Sequence, residues 1–125
     1  MTVTIDEKTL KVEGGGISEN VKPVGTFTDR WVDSSYRKEA KIFGVIRSWT
    51  LRCYEENVEW ANSVAKHLQN KAQDGKAISF SVDEGSLHSV QSTNVYILEV
   101  DVNYPKGSKA ASFVRYFTLK LQEAP

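Results

Sequence analysis

The chain has 125 residues, with sixteen Lys and Arg balanced by sixteen Asp and Glu, so its formal net charge is zero. Apolar residues at 40% and charged residues at 26% give the profile of one folded domain with one core, and exclude a disordered chain. A zero balance offers no basic excess to neutralise phosphates, so specific nucleic-acid binding is not expected. Cys53 is the single cysteine, which excludes an internal disulfide and any multi-cysteine metal site.

The first residues, MTVTIDEKTL, lack both the basic start and the apolar run of a secretory leader. No stretch approaches the roughly 20 apolar residues of a membrane span. The expectation is therefore a protein that matures in a reducing cytoplasm, without a membrane partner. Two short strand-like pieces, TVTI and TLKV, precede Gly14, Gly15 and Gly16. Three consecutive glycines leave the backbone too free for regular structure without outside contacts. The polar stretch ISENVKPV follows, and residues 1–24 read as a flexible N-terminal arm, either a plain terminus or a segment ordered by a partner.

Residues 25–125 read as a single domain. GTFTDRWV supplies Phe27 and Trp31 within a strand, and DSSYRKEA then reads as a polar loop over 33–40. A loop of that length exceeds a tight hairpin turn, and such loops often carry contacts to other molecules. From Lys41 to Tyr54 the period is two. Val45, Arg47, Trp49, Leu51 and Cys53 share one face, and Gly44 marks a bulge or bend. Cys53 beside Leu51 reads as a small buried hydrophobe, not a reactive thiol.

At Asn57 the period changes. Ala61, Val64, Ala65, Leu68 and Ala72 lay an apolar stripe along a helix expected over about 57–74, with Asn57 as N-cap and Gly75 as the left-handed stop. Trp49 and Trp60 flank this strand-to-helix corner and are expected in the core. Three strands follow. AISFSVD carries Ile78, Phe80 and Val82 on one face, and NVYILEVDVNY carries Tyr96, Leu98, Val100, Val102 and Tyr104 on one side. SFVRYFTLKLQE carries Phe113, Phe117, Leu119 and Leu121, with Arg115 among them. Strand runs broken by one helix imply a mainly β (α+β) fold: an antiparallel β-sandwich or partly closed barrel with one flanking α-helix.

Catalytic and metal signatures are sparse. His67 and His88 have no second His or Cys at ligand spacing. Glu55, Glu56 and Glu59 cluster at the helix start, where carboxylates complement the dipole; the chemical alternative makes one a general acid against a tryptophan wall. The Gly14–Gly16 run lacks the trailing Gly-Lys-Ser/Thr of a phosphate loop. No cofactor, metal or catalytic residue is expected. Trp31, Tyr36 and Tyr54, interleaved with arginines, form a candidate ligand-binding set for a carbohydrate or single-stranded nucleic acid.

GTFTDRWVDSSYRKEAKIFGVIRSWTL, the helix VEWANSVAKHLQNKAQDGK, and the closing strands NVYILEVDVNY and SFVRYFTLKLQEA together resemble, in layout and size, the tail-tube and baseplate-hub-type structural proteins of tailed phages and related contractile systems. The resemblance covers most of residues 25–124 and implies a non-enzymatic structural protein of the virion. Such a protein would self-assemble into rings or a tube through sheet edges, arm and loop, as a homo-oligomer with other tail proteins as possible partners. The interface residues so implied are Gly14, Gly15, Gly16, Asp33, Ser34, Ser35, Tyr36, Arg37 and Lys38.

Overall fold

A computed structural model describes residues 2–32, 35–104 and 113–124, with backbone alone over 26–32, 36–40 and 42. Six strands, β1 (Thr2–Ile5), β2 (Lys8–Val32), β3 (Ser35–Glu56), β4 (Ile78–Asp83), β5 (Val90–Val102) and β6 (Val114–Glu123), are interrupted once. The interruption, between β3 and β4, holds a 3-10 turn at Trp60–Asn62 and helix α1 (Val64–Asp74). The strands close into an antiparallel barrel in the order β1-β2-β3-β6-β5-β4, with β1 pairing to β4 as the closing seam. This is the mainly β, one-helix architecture expected, in its barrel form.

The barrel core follows from period-two alternation. Trp49, Leu51 and Cys53 of β3, Phe117, Leu119 and Leu121 of β6, and Ile78, Phe80 and Val82 of β4 all point inward and are buried. Trp49 meets Phe80 with ring centroids 5.1 Å apart and planes tilted by 53°, the offset arrangement aromatic quadrupoles favour. Leu68 and Ala65 of α1 join the same cluster. Each such side chain contributes on the order of 1.5–3 kcal/mol by leaving water.

The first departure from expectation lies at the N-terminus. Residues 2–5 and 8–24 are strand: Val3 and Ile5 alternate inward on β1, Leu10 does so on β2, and all three are buried. β1 supplies the seam that closes the barrel, so the segment belongs to the core. Its turn is tight, with Ile5 opposite Lys8. Asp6 and Glu7 both have positive φ, 48° and 65°, the left-handed pair a two-residue hairpin requires. Asp6 is anchored there: its N–H donates to the Ser79 carbonyl, and its carboxylate lies 2.7 Å from His67 Nε2 on α1.

The second departure concerns residues 33–40. Ser35–Ala40 continue β3 in register with β2, from Val32 opposite Ser35 to Phe27 opposite Ala40; Asp33 and Ser34 lie outside the described residues. A polar composition there marks a solvated hairpin, and not a loop, because both faces of a two-stranded ribbon can meet water. Gly44 does adjoin a bulge: Val24 faces Gly44 while Gly25 faces Ile42, leaving Phe43 as the extra residue.

The third departure is in β5. Ile97 faces Leu121 and Glu99 faces Lys120, so Leu98 is an inserted residue. The bulge inverts the phase. Val95 is buried and Ile97 packs on the core before it, Val100 and Val102 after it, so the even-numbered residues do not share one face.

The helix starts later than expected. Asn57 does not cap it but closes the end of β3: its N–H donates to the Phe113 carbonyl at 3.0 Å and its Oδ1 accepts from Phe113 N–H at 2.8 Å. Ser63 is the N-cap, accepting from Lys66 N–H. Gly75 ends the helix at φ 67°, as expected.

Candidate assembly surface

β6 covers β3 only from Ser48 onward, where Ser48 faces Gln122. Before that point, β3 pairs with β2 alone among the described residues. Residues 21–32 and 35–47 therefore form a two-stranded spur continuing past the barrel. A two-stranded ribbon is marginal by itself in water, and this one displays apolar side chains. Phe43 is 68% exposed, Val45 62% and Val21 56%, with Pro23 directly opposite Val45. The inward face of β3 explains the pattern: Val45 and Arg47 keep the phase of Trp49 and Leu51, but no barrel stands in front of them.

The root of the spur is held to the barrel. Arg47 donates to both Glu123 oxygens, from Nε at 2.9 Å and Nη2 at 2.8 Å, the two-pronged geometry that guanidinium and carboxylate favour. Its guanidinium also lies 5.3 Å from the Trp49 ring centroid. The Arg47 hydrogen bonds hold the Glu123 carboxyl below its ordinary range and, reciprocally, raise the Arg47 guanidinium. One strand pair inward, Trp49 Nε1 donates to Glu19 Oε1 at 3.1 Å, and His88 Nε2 lies 3.2 Å from Glu19 Oε2.

The glycine run sits at this end of the barrel. Val12 faces Cys53 and Ile17 faces Leu51, so residues 13–16 are spent opposite Arg52 alone. Gly15 adopts φ 68°, and a Cβ on Gly16 would stand 2.8 Å from the Glu13 carbonyl and 3.0 Å from that of Arg52. The run is a large bulge with one crowded position. It opens a cleft of about 180 Å³ with Ile17, Trp49, Val82 and His88.

The expected interface set is thus divided. Gly14, Gly15 and Gly16 lie at the barrel end, whereas Ser35, Tyr36, Arg37 and Lys38 lie in the outer spur, and Asp33 and Ser34 fall outside the described residues. Of the aromatic set, Trp31 and Tyr36 are cross-strand partners. Tyr54 is 18 residues further along β3 than Tyr36 and half-buried, about 60 Å away at the rise of an extended strand. In backbone position, Tyr54 lies at the other end of β3 from the Trp31–Tyr36 pair. The residues composition did not reveal are Val21, Phe43 and Val45. Only the phase of β3 carried past Trp49 points to them.

The opposite barrel end holds the buried charges. Glu55 and Arg115, on facing positions of β3 and β6, approach to 3.4 Å with both side chains almost wholly buried. Glu55 Oε1 also accepts from Val64 N–H, the first residue of α1. Arg115 Nη1 donates to the Val58 carbonyl at 3.0 Å, and the guanidinium lies 5.2 Å from the Trp60 ring centroid. Both Glu55 oxygens are thereby engaged in structure. Glu55 and Glu56 line a cleft of about 130 Å³, while Glu59 faces water. Trp49 is in the core as expected, but Trp60 is 39% exposed. Burial pushes the Cys53 thiol up to about 12, consistent with an inert buried hydrophobe. Among the described residues, no cluster of three or more His, Cys, Asp or Glu could hold a metal, and no helix is long and apolar enough to cross a membrane.

No family model matches the chain, and no curated protein matches it. Among solved structures, the chain is similar to one from the virion of a native gene transfer agent (GTA) particle. That match has 15% identity and a TM-score of 0.49, and covers 99% of this chain and 90% of that one.

Proposed function

We propose that this chain is a non-enzymatic structural protein that self-assembles into rings or a tube, as a component of a phage-like tail. The observation that carries this reading is the spur: a two-stranded ribbon with Val21, Phe43 and Val45 in water on the isolated chain. Exposed apolar side chains gathered on a thin projection favour burial against protein. Closed point-group or helical arrays of identical copies are the common way to supply it.

The route differs from edge-to-edge joining of a sandwich. A closed barrel has no free sheet edge, so the contact falls to the spur, whose root Arg47 and Glu123 tie to the barrel. The interface candidates Ser35–Lys38 lie along it. The buried pair Glu55–Arg115 supports a structural role for one of the three carboxylates that an enzymatic reading would draw on. Light scattering across a concentration series, with negative-stain microscopy at the upper end, tests the proposal. Rings, tubes or a rising mass support it, and a constant monomer mass at millimolar concentration would defeat it.

A further inference from the structure

Building on that reading, we infer that the spur of one copy docks face-on against the outer wall of β5 and β6 on a second copy, through two different patches. Both flanks of the spur are poor templates for strand addition. Pro23 has no N–H to donate, and the bulge at Phe43 breaks the run of β3. What the spur offers is a face, with Phe43 and Val45 outward. Charge then selects the receiver. Residues 21–47 hold six basic residues against three acidic ones, a net of +3, so the rest of this neutral chain carries −3. Two spurs brought together would repel, whereas a spur and a barrel attract.

On the barrel, β5 sets exposed apolar residues beside acids along one strand. The bulge turns Leu98 outward, 57% exposed, beside Tyr96; exposed Glu99 and Asp101 follow along the strand, Glu99 lying 3.1 Å from Lys120 of β6. Leu98 has no register partner on β6, so its projection leaves the ladder intact on either side. An apolar centre with acids beside it suits a ribbon that is apolar at Phe43 and Val45 and carries net positive charge. Because the patches differ, the contact is heterologous, and it propagates into a ring or filament instead of stopping at a dimer.

Mixing two variants tests this. Val45→Glu disables the spur and Leu98→Lys disables the wall; both residues are exposed, and circular dichroism checks that each variant folds. Each change is expected to raise the concentration needed for assembly by about tenfold or more. Mixed one to one, the variants should form a dimer that grows no further, since the intact wall of one accepts the intact spur of the other. If wild type assembles but Leu98→Lys assembles equally well, or the mixture stays monomeric, the docking scheme is wrong while self-assembly stands. If wild type never assembles, the parent reading falls as well.

Discussion

Arg115 and Glu55 show how one residue's position in a register can outweigh its type. On sequence alone Arg115 is an anomaly on the face of Phe117 and Leu119, and Glu55 is one of three glutamates at a helix start. The register places them opposite each other at the barrel end, 3.4 Å apart and buried. A buried charge without its partner is costly, so Arg115→Met should destabilise the fold by about 3–5 kcal/mol. Adding Glu55→Gln should recover part of that loss, because the amide oxygen still accepts from Val64 N–H. Urea denaturation of the single and double variants measures the difference; equal stabilities would mean the pair is not energetically coupled. The glycines give a sharper contrast. Gly16→Ala places a Cβ against two carbonyls and should cost about 1–3 kcal/mol. At Gly14 nothing lies within 4 Å, so the same change should stay within about 0.5 kcal/mol. Composition marks all three glycines alike; only the backbone distinguishes Gly15, at positive φ, and Gly16, which is crowded, from Gly14.

Among the elements, those legible in the sequence were the ones whose pattern runs unbroken. β4, β6 and β3 from Trp49 onward alternate without a bulge, and their buried faces are the ones the spacing gives. β5 defeats that reading because an inserted Leu98 flips the phase, and a bulge has no composition of its own unless glycine marks it. β1 was hidden by brevity: Val3 and Ile5 are two apolar residues in a four-residue strand, too few to separate from a frayed end without knowing that β4 awaits them. Residues 35–40 of the spur read as a loop for a related reason, since a two-stranded ribbon of polar composition shows no apolar alternation. Its root makes a pH prediction. The Glu123 carboxyl is held low by Arg47, so its contribution is present above the ordinary glutamate value near 4.3 and is lost as pH falls through the lower folded value. Arg47 is raised, so its own contribution persists throughout the neutral range. Both side chains are partly exposed, and the effect is under about 1 kcal/mol. Amide exchange at the spur root should therefore quicken below about pH 4, relative to the barrel strands. In Glu123→Gln that acid-dependent difference should vanish; an unchanged profile would assign it to other carboxylates.

At the level of the whole molecule, closure and projection divide the work. The barrel satisfies its own strands through the β1–β4 seam, so its stability needs no second copy, while the spur adds length without adding core. Among the described side chains, none of the buried residues of the core cluster lies between 20 and 48. It follows that the barrel should survive removal of the spur. Val24 and Gly44 are register partners, so replacing residues 25–43 with Asn-Gly joins them by a two-residue turn of the kind that matches strand twist. The shortened chain should melt cooperatively within a few degrees of the full one, since no cluster contact is lost and loop closure becomes easier. Assembly should be weakened, because Phe43 and the outer ribbon are gone, while Val21 and Val45 remain at the root. Calorimetry and light scattering on the same preparation read both outcomes. Loss of the cooperative transition would mean the barrel depends on the ribbon for its fold, and assembly at undiminished strength would show that Phe43 and the outer ribbon take no part in the contact.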